Sequence, residues 1–190
     1  MALPFRLMVI TDWSKGRDWV LEELSAALAG QTGIAIQHRH PGVTTRQFLD
    51  EGRALAQLCS KFNAPLFINS RLDVARALDA HLHLATHAIT VADAKPCLPV
   101  GTLVSHAVHA LGEYQPGADF ALVSPVFTPR SKPTDSRPLL GVEGFIELAR
   151  QLPCPAFALG GLTPATAAPL RASAAGFALT LSAGMKRFDE

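Results

Sequence analysis

Short apolar runs rich in β-branched and aromatic residues alternate with helical segments along the whole chain. The runs lie at residues 5–11, 33–39, 65–70, 81–85, 101–106, 120–125, 156–160 and 176–182. Helical periodicity is clear at 19–29, 45–61, 72–79, 142–151 and 164–174, and shorter polar segments at 91–95 and 107–114 follow the fourth and fifth runs. This alternation predicts parallel strands joined by crossover helices. Eight such units favour a closed (β/α)₈ TIM barrel, and an open doubly wound α/β sheet is the alternative.

The chain is short for such a barrel. It has 190 residues, whereas (β/α)₈ barrels typically have about 250. After the eighth run and its Ser-Ala-Gly end, only residues 185–190 remain, which are too few for an ordinary closing helix. We therefore expect one compact barrel domain over residues 1–190 in which the last helix is short or absent, through truncation or reduction.

The net charge excludes one broad class of partner. Lys and Arg number 17 and Asp and Glu 16, which leaves a formal charge of +1. A surface this close to neutral does not concentrate nucleic acid or an anionic membrane. No apolar stretch approaches the roughly 20 residues that a membrane span needs. We expect no nucleic-acid and no membrane partner, so that any bound anion is held by a local site.

The cysteines and the first residues indicate a compartment. Cys59, Cys97 and Cys154 are widely spaced and odd in number, which fits neither a disulfide framework nor a CxxC metal site. Residues 1–12 lack the pattern of a signal peptide, because their apolar run is short. We expect a cytoplasmic protein with reduced thiols, and the sequence leaves open whether it forms a homo-oligomer.

Two loops have the composition of a phosphate site. Ligands of a (β/α)₈ barrel bind at the carboxyl ends of the strands, and the loops after strands seven and eight often hold a phosphate. The seventh run ends in Gly160 and Gly161, and Ser182 and Ala183 end the eighth. Glycine lets the backbone approach a ligand, and N–H groups at the start of the next helix, near Thr163, favour an anion. Tight turns and small-residue packing are the alternative explanation.

Polar side chains end strands two and three. Alternate residues of a strand share a face, so Gln37 and Arg39 point together into the barrel, whereas His38 points outward. An amide beside a guanidinium suits a phosphate or carboxylate ligand, and an exposed strand end paired with an acid is the alternative. Asn69, at the tip of strand three, suits either hydrogen bonding to a heterocycle or capping of the next helix.

A long polar, proline-rich segment, residues 124–138, follows strand six and is locally basic. A loop of this length within a compact domain is usually functional or disordered. We interpret it as a lid whose Ser131 and Lys132 close over an anionic ligand. The alternative is a solvated loop without a role.

The histidines offer few candidates for chemistry. His81 and His83 share a face, but no carboxylate or cysteine stands at a complementary spacing, so we assign them a structural role and predict no metal site. His106 and His109, near the end of strand five, suit proton transfer, because a neutral imidazole exchanges protons near neutral pH. Together with Lys132 they are the candidate catalytic residues.

The order of these motifs resembles the thiamine phosphate synthase/TenI family. The matching segments are Gln-x-Arg at 37–39, Asn-x-Arg at 69–71, Pro-Val-Phe at 125–127 with the Ser-Lys lid, Gly-Val-Glu-Gly at 141–144, Gly-Gly-Leu-Thr-Pro at 160–164 and Ser-Ala-Gly at 182–184. The resemblance covers nearly the whole chain and implies a (β/α)₈ barrel. In the synthase branch it implies that magnesium assists the departure of pyrophosphate from a pyrimidine diphosphate. The nitrogen of a thiazole phosphate then attacks the resulting carbocation.

The same resemblance implies roles for individual residues. Gln37, Arg39 and Asn69 correspond to groups that contact the pyrimidine diphosphate, and Ser131 and Lys132 to lid residues that meet the phosphates. The two loops predicted to bind phosphate correspond to the thiazole-phosphate site. The expected ligands are therefore small phosphorylated thiazoles and pyrimidines.

Four positions depart from the family pattern. Ser70 stands where the synthase has an aspartate, and residues 85–88 (Ala-Thr-His-Ala) replace a Gly-Gln-x-Asp segment. Both missing acids help to hold magnesium, a hard cation that depends on carboxylate and phosphate oxygens. Pro41 replaces a basic residue, and Pro125 occupies the position of the TenI branch's proton-transfer histidine.

These departures favour a TenI-like protein that binds thiazole phosphate or thiamine phosphate and acts as a thiazole tautomerase, since that branch works without a metal. The first alternative is a thiamine phosphate synthase whose magnesium is coordinated mainly by the diphosphate. The second is a non-catalytic module that binds a phosphorylated ligand and acts through a protein partner. We expect an enzyme of isomerase or transferase type, with magnesium as cofactor only if synthase activity is retained.

Overall fold

The chain forms a closed barrel of parallel strands. The computed structural model describes residues 3–129 and 137–183. In it, eight strands pair in chain order, and the first strand pairs with the eighth to close the sheet. The predicted (β/α)₈ barrel is confirmed, and the open doubly wound sheet is wrong.

The strands are short and lie at the predicted positions. They are β1 Leu7–Ile10, β2 Ile34–His38, β3 Leu66–Asn69, β4 His81–Leu84, β5 Val104–Val108, β6 Phe120–Val123, β7 Ala156–Leu159 and β8 Gly176–Thr180. Only β5 is displaced, because it begins three residues later than predicted and ends two residues later. Gly101 has a φ of +90° and the N–H of Thr102 donates to the carbonyl of Pro99, so a turn occupies the predicted start.

Helices of unequal length connect the strands. They are α1 Arg17–Gly30, α2 Thr45–Lys61, α3 Leu72–Ala77, α4 Val91–Ala94, α5 Gly141–Gln151 and α6 Pro164–Ala167. The helix predicted over 164–174 is shorter than expected and continues as a 3₁₀ turn at Ala168–Leu170. Pro169 contributes to the change, because its ring nitrogen has no hydrogen to donate back to the carbonyl of Ala165, as an α-helix would require. Residues 184–190, on which the expectation of a reduced last helix falls, lie outside the described residues.

Aromatic side chains fill the amino end of the barrel. Phe5, Phe67, Phe120 and Phe157 are buried there, with ring centroids 5.2–5.6 Å apart. This layer closes the amino end, so the carboxyl end, called the mouth below, is the side open to a ligand. No helix in the described part of the chain is long and apolar enough to cross a membrane.

Candidate active site

Consecutive strands present polar side chains inside the mouth. They are Gln37 on β2, Asn69 on β3, His83 on β4 and Ser105 on β5. Each of these residues lies two positions after an inward-facing side chain, and alternate residues of a strand share a face. Three of those preceding side chains pack in the barrel interior, and the fourth, His81, has its ring against Phe67. In the sheet register Asn69 is level with His83, and His83 with Ser105. The mouth is therefore lined with amides, an imidazole and a hydroxyl above an apolar floor.

His83 is a buried neutral imidazole at the centre of this lining. Its Nδ1 lies 2.9 Å from the hydroxyl oxygen of Ser105. Burial, with smaller contributions from nearby His106 and the positive charge of Arg39, lowers the pKa of His83 to about 3. The sequence suggested only a structural role for His83. Its position at the carboxyl end of an inward-facing strand was the available signal for a place in the mouth.

Arg39 follows β2 directly, and its backbone is held in place. Its N–H donates to the hydroxyl oxygen of Thr11 at 2.9 Å, and that hydroxyl donates to the carbonyl of Arg39 at 3.1 Å. Gln37 is buried, with its amide nitrogen 3.5 Å from the sulfur of Met8. The outward direction predicted for His38 also holds, since its Nε2 lies 2.9 Å from the carbonyl of Phe48 on α2.

The glycines after β7 are required by the backbone itself. Gly160 has a φ of +103° and Gly161 a φ of +62°, which other residues adopt with strain. A Cβ added to Gly161 would lie 2.5 Å from the carbonyl oxygen of Thr128 and 2.8 Å from the Cβ of Phe127. The loop after β6 therefore packs directly on this pair, and a close approach explains the glycines whether or not a phosphate binds there.

The start of α6 uses its own polar groups. The N–H of Thr166 donates to the hydroxyl of Thr163, and the N–H of Thr163 donates to the hydroxyl of Thr166 at 2.8 Å. This capping box satisfies two of the donors that the sequence offered to an anion. A phosphate in this region would depend on the backbone of the two glycines and on the loop after β8.

An acid stands beside the loop after β8. Ser182 is exposed, and its hydroxyl donates to the carboxylate of Asp12 at the end of β1. That hydrogen bond is the main cause that lowers the pKa of Asp12, and the bond from the N–H of Ser14 adds to it. Sequence reasoning passed over Asp12, although it follows a strand as the other candidates do. Ala183 is the last described residue of this loop.

His109 joins three loops at the edge of the mouth. Its Nδ1 is hydrogen-bonded to the carbonyl of Ser124, and its Nε2 lies 2.6 Å from a guanidinium nitrogen of Arg137 and 3.2 Å from the hydroxyl of Thr86. A guanidinium only donates, so Nε2 is the acceptor and Nδ1 carries the proton. Both ring nitrogens are thus occupied.

His106 does not face the mouth, contrary to its predicted role in proton transfer there. It shares the outer face of β5 with Val104 and Val108, which pack against the surrounding helix layer. The side chain is buried, both ring nitrogens lack a partner among the described residues, and burial lowers its pKa. β5 runs two residues past its predicted end, so His106 lies within the strand and not at its tip. The two lid residues, Ser131 and Lys132, lie outside the described residues.

Comparison with known proteins identifies the family. The family model described as thiamine monophosphate synthase matches residues 7–183. The chain belongs to the thiamine monophosphate synthase family. It is 32% identical over 184 residues to a thiamine-phosphate synthase of Chloroflexus aurantiacus, covering 93% of this chain and 84% of that protein. A thiamine-phosphate synthase of Clostridium perfringens is 32% identical over 164 residues, covering 84% of this chain and 78% of that protein.

Solved structures agree with this membership. A thiamine phosphate pyrophosphorylase from Pyrococcus furiosus matches with a TM-score of 0.79 and 28% identity, covering 97% of this chain and 90% of that one. A geranylgeranylglyceryl phosphate synthase from Thermoplasma acidophilum, in complex with sn-glycerol-1-phosphate, matches with a TM-score of 0.65 at 12% identity, covering 97% of this chain and 89% of that one. The second likeness shows the barrel fold alone. The predicted family resemblance is confirmed, and the names of the relatives favour the synthase alternative over the tautomerase.

Members of the thiamine monophosphate synthase family are expected to use magnesium, but the residues of this mouth do not fit a protein-held ion. At the first acid position, the Ser70 hydroxyl accepts a hydrogen bond from the N–H of Ala85 at 3.3 Å. The second acid position is Ala88. The described residues contain no group of three or more His, Cys, Asp or Glu side chains that could hold a metal ion. We therefore assign no catalytic step to a metal bound by this chain.

Proposed function

We propose that this chain catalyses the synthase reaction of its family, in which a thiazole phosphate and a pyrimidine diphosphate combine to give thiamine phosphate and pyrophosphate. The observation that carries the proposal is the lining of the mouth. Gln37, Asn69 and His83 face inward from consecutive strands, with Arg39 directly after the first of them. The thiamine-phosphate synthases at 32% identity support the same reaction.

The synthase reaction makes modest demands on acid–base chemistry. The C–O bond between the pyrimidine methylene and the diphosphate breaks, and its electron pair leaves with pyrophosphate. The lone pair of the thiazole nitrogen then forms the new C–N bond. No proton moves in either step, so catalysis depends on positioning and on stabilising charge. This mouth has positioning groups and a cation, and both nitrogens of His109 are already bonded.

The side chains of the mouth match these demands. The amides of Gln37 and Asn69 each present a donor and an acceptor to the edge of a pyrimidine. The guanidinium of Arg39 stabilises the negative charge of the diphosphate. This stabilisation increases as further negative charge develops on the departing pyrophosphate. His83 remains neutral, because burial holds its pKa to about 3. The phosphate of the thiazole is proposed to lie at the opposite side of the mouth, against Gly160 and Gly161.

An isomerase of TenI type is the second candidate, and the missing metal acids at Ser70 and Ala88 favour it. A tautomerase must remove one proton and deliver another, which requires a base whose pKa lies near the operating pH. His83 is the inward imidazole, and a pKa of about 3 makes it a weak base at pH 7. We therefore rank the synthase reaction above the isomerase reaction.

Two parallel incubations of the full chain test the proposal. In the first, pyrimidine diphosphate and thiazole phosphate are supplied, and thiamine phosphate is measured by chromatography with mass detection. In the second, a thiazole carboxylate phosphate is supplied, and its isomerisation is followed by NMR. We expect product in the first incubation only. Turnover confined to the second incubation would overturn the proposal in favour of the isomerase. Binding of both ligands without turnover would overturn it in favour of a non-catalytic binding module.

A further inference from the structure

A second cavity lies outside the barrel, between the first turns of α1 and α2. Its volume is about 460 Å³, within the range of roughly 300–1,000 Å³ typical of small-molecule sites. We call it the outer pocket. The side chains that matter for its chemistry are Trp13, Arg17, His40, Arg46 and Glu51. Arg39 points into the barrel and His40 away from it, so the outer pocket and the mouth lie on opposite sides of the same strand end.

A buried acid fixes the imidazole of the outer pocket. One carboxylate oxygen of Glu51 lies 2.9 Å from Nδ1 of His40, and the other accepts a hydrogen bond from the Gln47 amide at 3.0 Å. The side chain of Glu51 is only 8% exposed. Trp13 stacks on the imidazole with an interplanar angle of 5°. These contacts fix the ring and leave Nε2 of His40 without a partner among the described residues.

The charges of the outer pocket favour an anion. Its two acids are already engaged, Glu51 with His40 and Gln47, and Asp50 with Arg53, whose guanidinium lies 2.9 Å from the Asp50 carboxylate. Arg17 and Arg46 form no ion pair with a carboxylate in residues 3–129 and 137–183. Two guanidinium groups therefore line one cavity, and no carboxylate of the described residues pairs with either of them.

We propose that the outer pocket is a binding site for a small phosphate or carboxylate anion, separate from the mouth. Guanidinium groups match the planar oxygens of either anion and donate two hydrogen bonds at once. The Arg17 and Arg46 side chains hold the anion, and the His40 ring forms one wall of the site. Glu51 accepts the proton of Nδ1 and keeps the ring in that orientation.

The tryptophan of the outer pocket supplies a reporter. The indole N–H of Trp13 donates to the hydroxyl of Thr11 at 3.0 Å, and the same hydroxyl accepts from the N–H of Arg39. The chain has two tryptophans, so Trp19→Phe leaves Trp13 as the single fluorophore. Because Thr11 bonds to both Trp13 and Arg39, a ligand bound in the mouth can also change the fluorescence of Trp13. The experiment therefore includes a variant that lacks the Arg39 side chain.

The test titrates the Trp19→Phe protein with inorganic phosphate and, separately, with malonate, against sodium chloride at matched ionic strength. We expect a saturable change in Trp13 fluorescence with at least one of the two anions and none with chloride. The stronger anion identifies the ligand class. Arg17→Gln and Arg46→Gln, each added to this background, should weaken binding by about tenfold or more. Arg76→Gln, an exposed arginine of α3, is the matched control and should change nothing.

Two results would overturn the proposal. The first is the absence of any saturable change up to about 50 mM of either anion, a concentration that would reveal even millimolar affinity. The second is a change that Arg39→Gln abolishes and Arg46→Gln leaves intact, which assigns the signal to the mouth. Circular dichroism of each variant confirms that it is folded.

Discussion

The hydroxyl of Ser182 donates a hydrogen bond to the carboxylate of Asp12, which joins the ends of β8 and β1 where the barrel closes. The bond keeps Asp12 ionised by lowering its pKa. A negative charge therefore stands beside one of the two loops proposed to receive the phosphate of the thiazole. The backbone that binds this phosphate must offset that charge as well as the charge of the ligand.

Asp12→Asn should tighten the binding of thiazole phosphate. The change removes a like charge worth about 1 kcal/mol at a partly exposed site, which corresponds to about fivefold in Kd. Asparagine still accepts from the N–H of Ser14, the bond that caps the following 3₁₀ turn. Isothermal titration calorimetry of both proteins gives the ratio directly. Weaker binding in Asp12→Asn would instead mean that the carboxylate holds the ligand.

Acid should destabilise the fold through its buried histidines, of which His38 and His83 have large shifts. Burial lowers the pKa of His38 to about 4 and that of His83 to about 3. Their unfolded values lie near 6.5, so between pH 6.5 and 4 the unfolded chain binds protons that the folded chain does not. Stability is therefore present at higher pH and falls as the pH drops, by about 1.4 kcal/mol per pH unit for each histidine.

Urea unfolding at several pH values between 4.5 and 6.5 checks this dependence. His38→Gln removes one of the two titrating groups, and its amide can still donate to the carbonyl of Phe48. We expect the pH slope of the variant to be smaller by the contribution of one histidine, about 1.4 kcal/mol per pH unit. Identical slopes in the two proteins would contradict the assignment for His38.

Gly161→Ala should destabilise the protein even when no ligand is present. The added Cβ meets the carbonyl oxygen of Thr128 at 2.5 Å on a backbone with a φ of +62°. Strain of this kind amounts to about 1–3 kcal/mol. Gly112→Ala is the matched control, because nothing lies within 4 Å of its added Cβ. Thermal unfolding compares them, and an unchanged melting temperature for Gly161→Ala would show that the loop after β6 yields easily.

Restoring both family acids should create a magnesium response. In Ser70→Asp/Ala88→Asp, carboxylates occupy the two positions where the synthase branch has them, and Ser70 has a φ of +59°, a conformation that aspartate tolerates. We expect thiamine phosphate formation by this variant to rise severalfold on addition of magnesium, more than in the parent protein. The isosteric control is Ser70→Asn/Ala88→Asn. An equal magnesium response in the parent and in both double variants would mean that the ion is bound by the substrate and not by these two carboxylates.

Much of the fold was accessible from the sequence, because alternating strand and helix patterns are local. The inward direction of Gln37 followed from the period of two residues along β2. The place of His106 did not, because β5 continues two residues past its predicted end, to Val108. His106 therefore lies within the strand, on the same outer face as Val104 and Val108. The local pattern did not reveal where β5 ends.

Contacts between distant parts of the chain were harder to predict. The bond between Asp12 and Ser182 exists only because the barrel closes β1 against β8. The stacking of Trp13 on His40 likewise joins two separate loops. The close packing of Gly161 on Phe127 gives a structural reason for a glycine that the sequence had connected with a phosphate site or with a tight turn.

The inward groups of the mouth are proposed to carry a synthase reaction. A decisive experiment compares the initial rate of thiamine phosphate formation from pyrimidine diphosphate and thiazole phosphate in the parent chain, Arg39→Gln and Arg76→Gln. We expect turnover in the parent and in Arg76→Gln, and a rate at least about tenfold lower in Arg39→Gln, since a charged hydrogen bond to the leaving group contributes about 1.5–3 kcal/mol. Equal rates in Arg39→Gln and the parent, or no thiamine phosphate from the parent chain, would contradict this proposal.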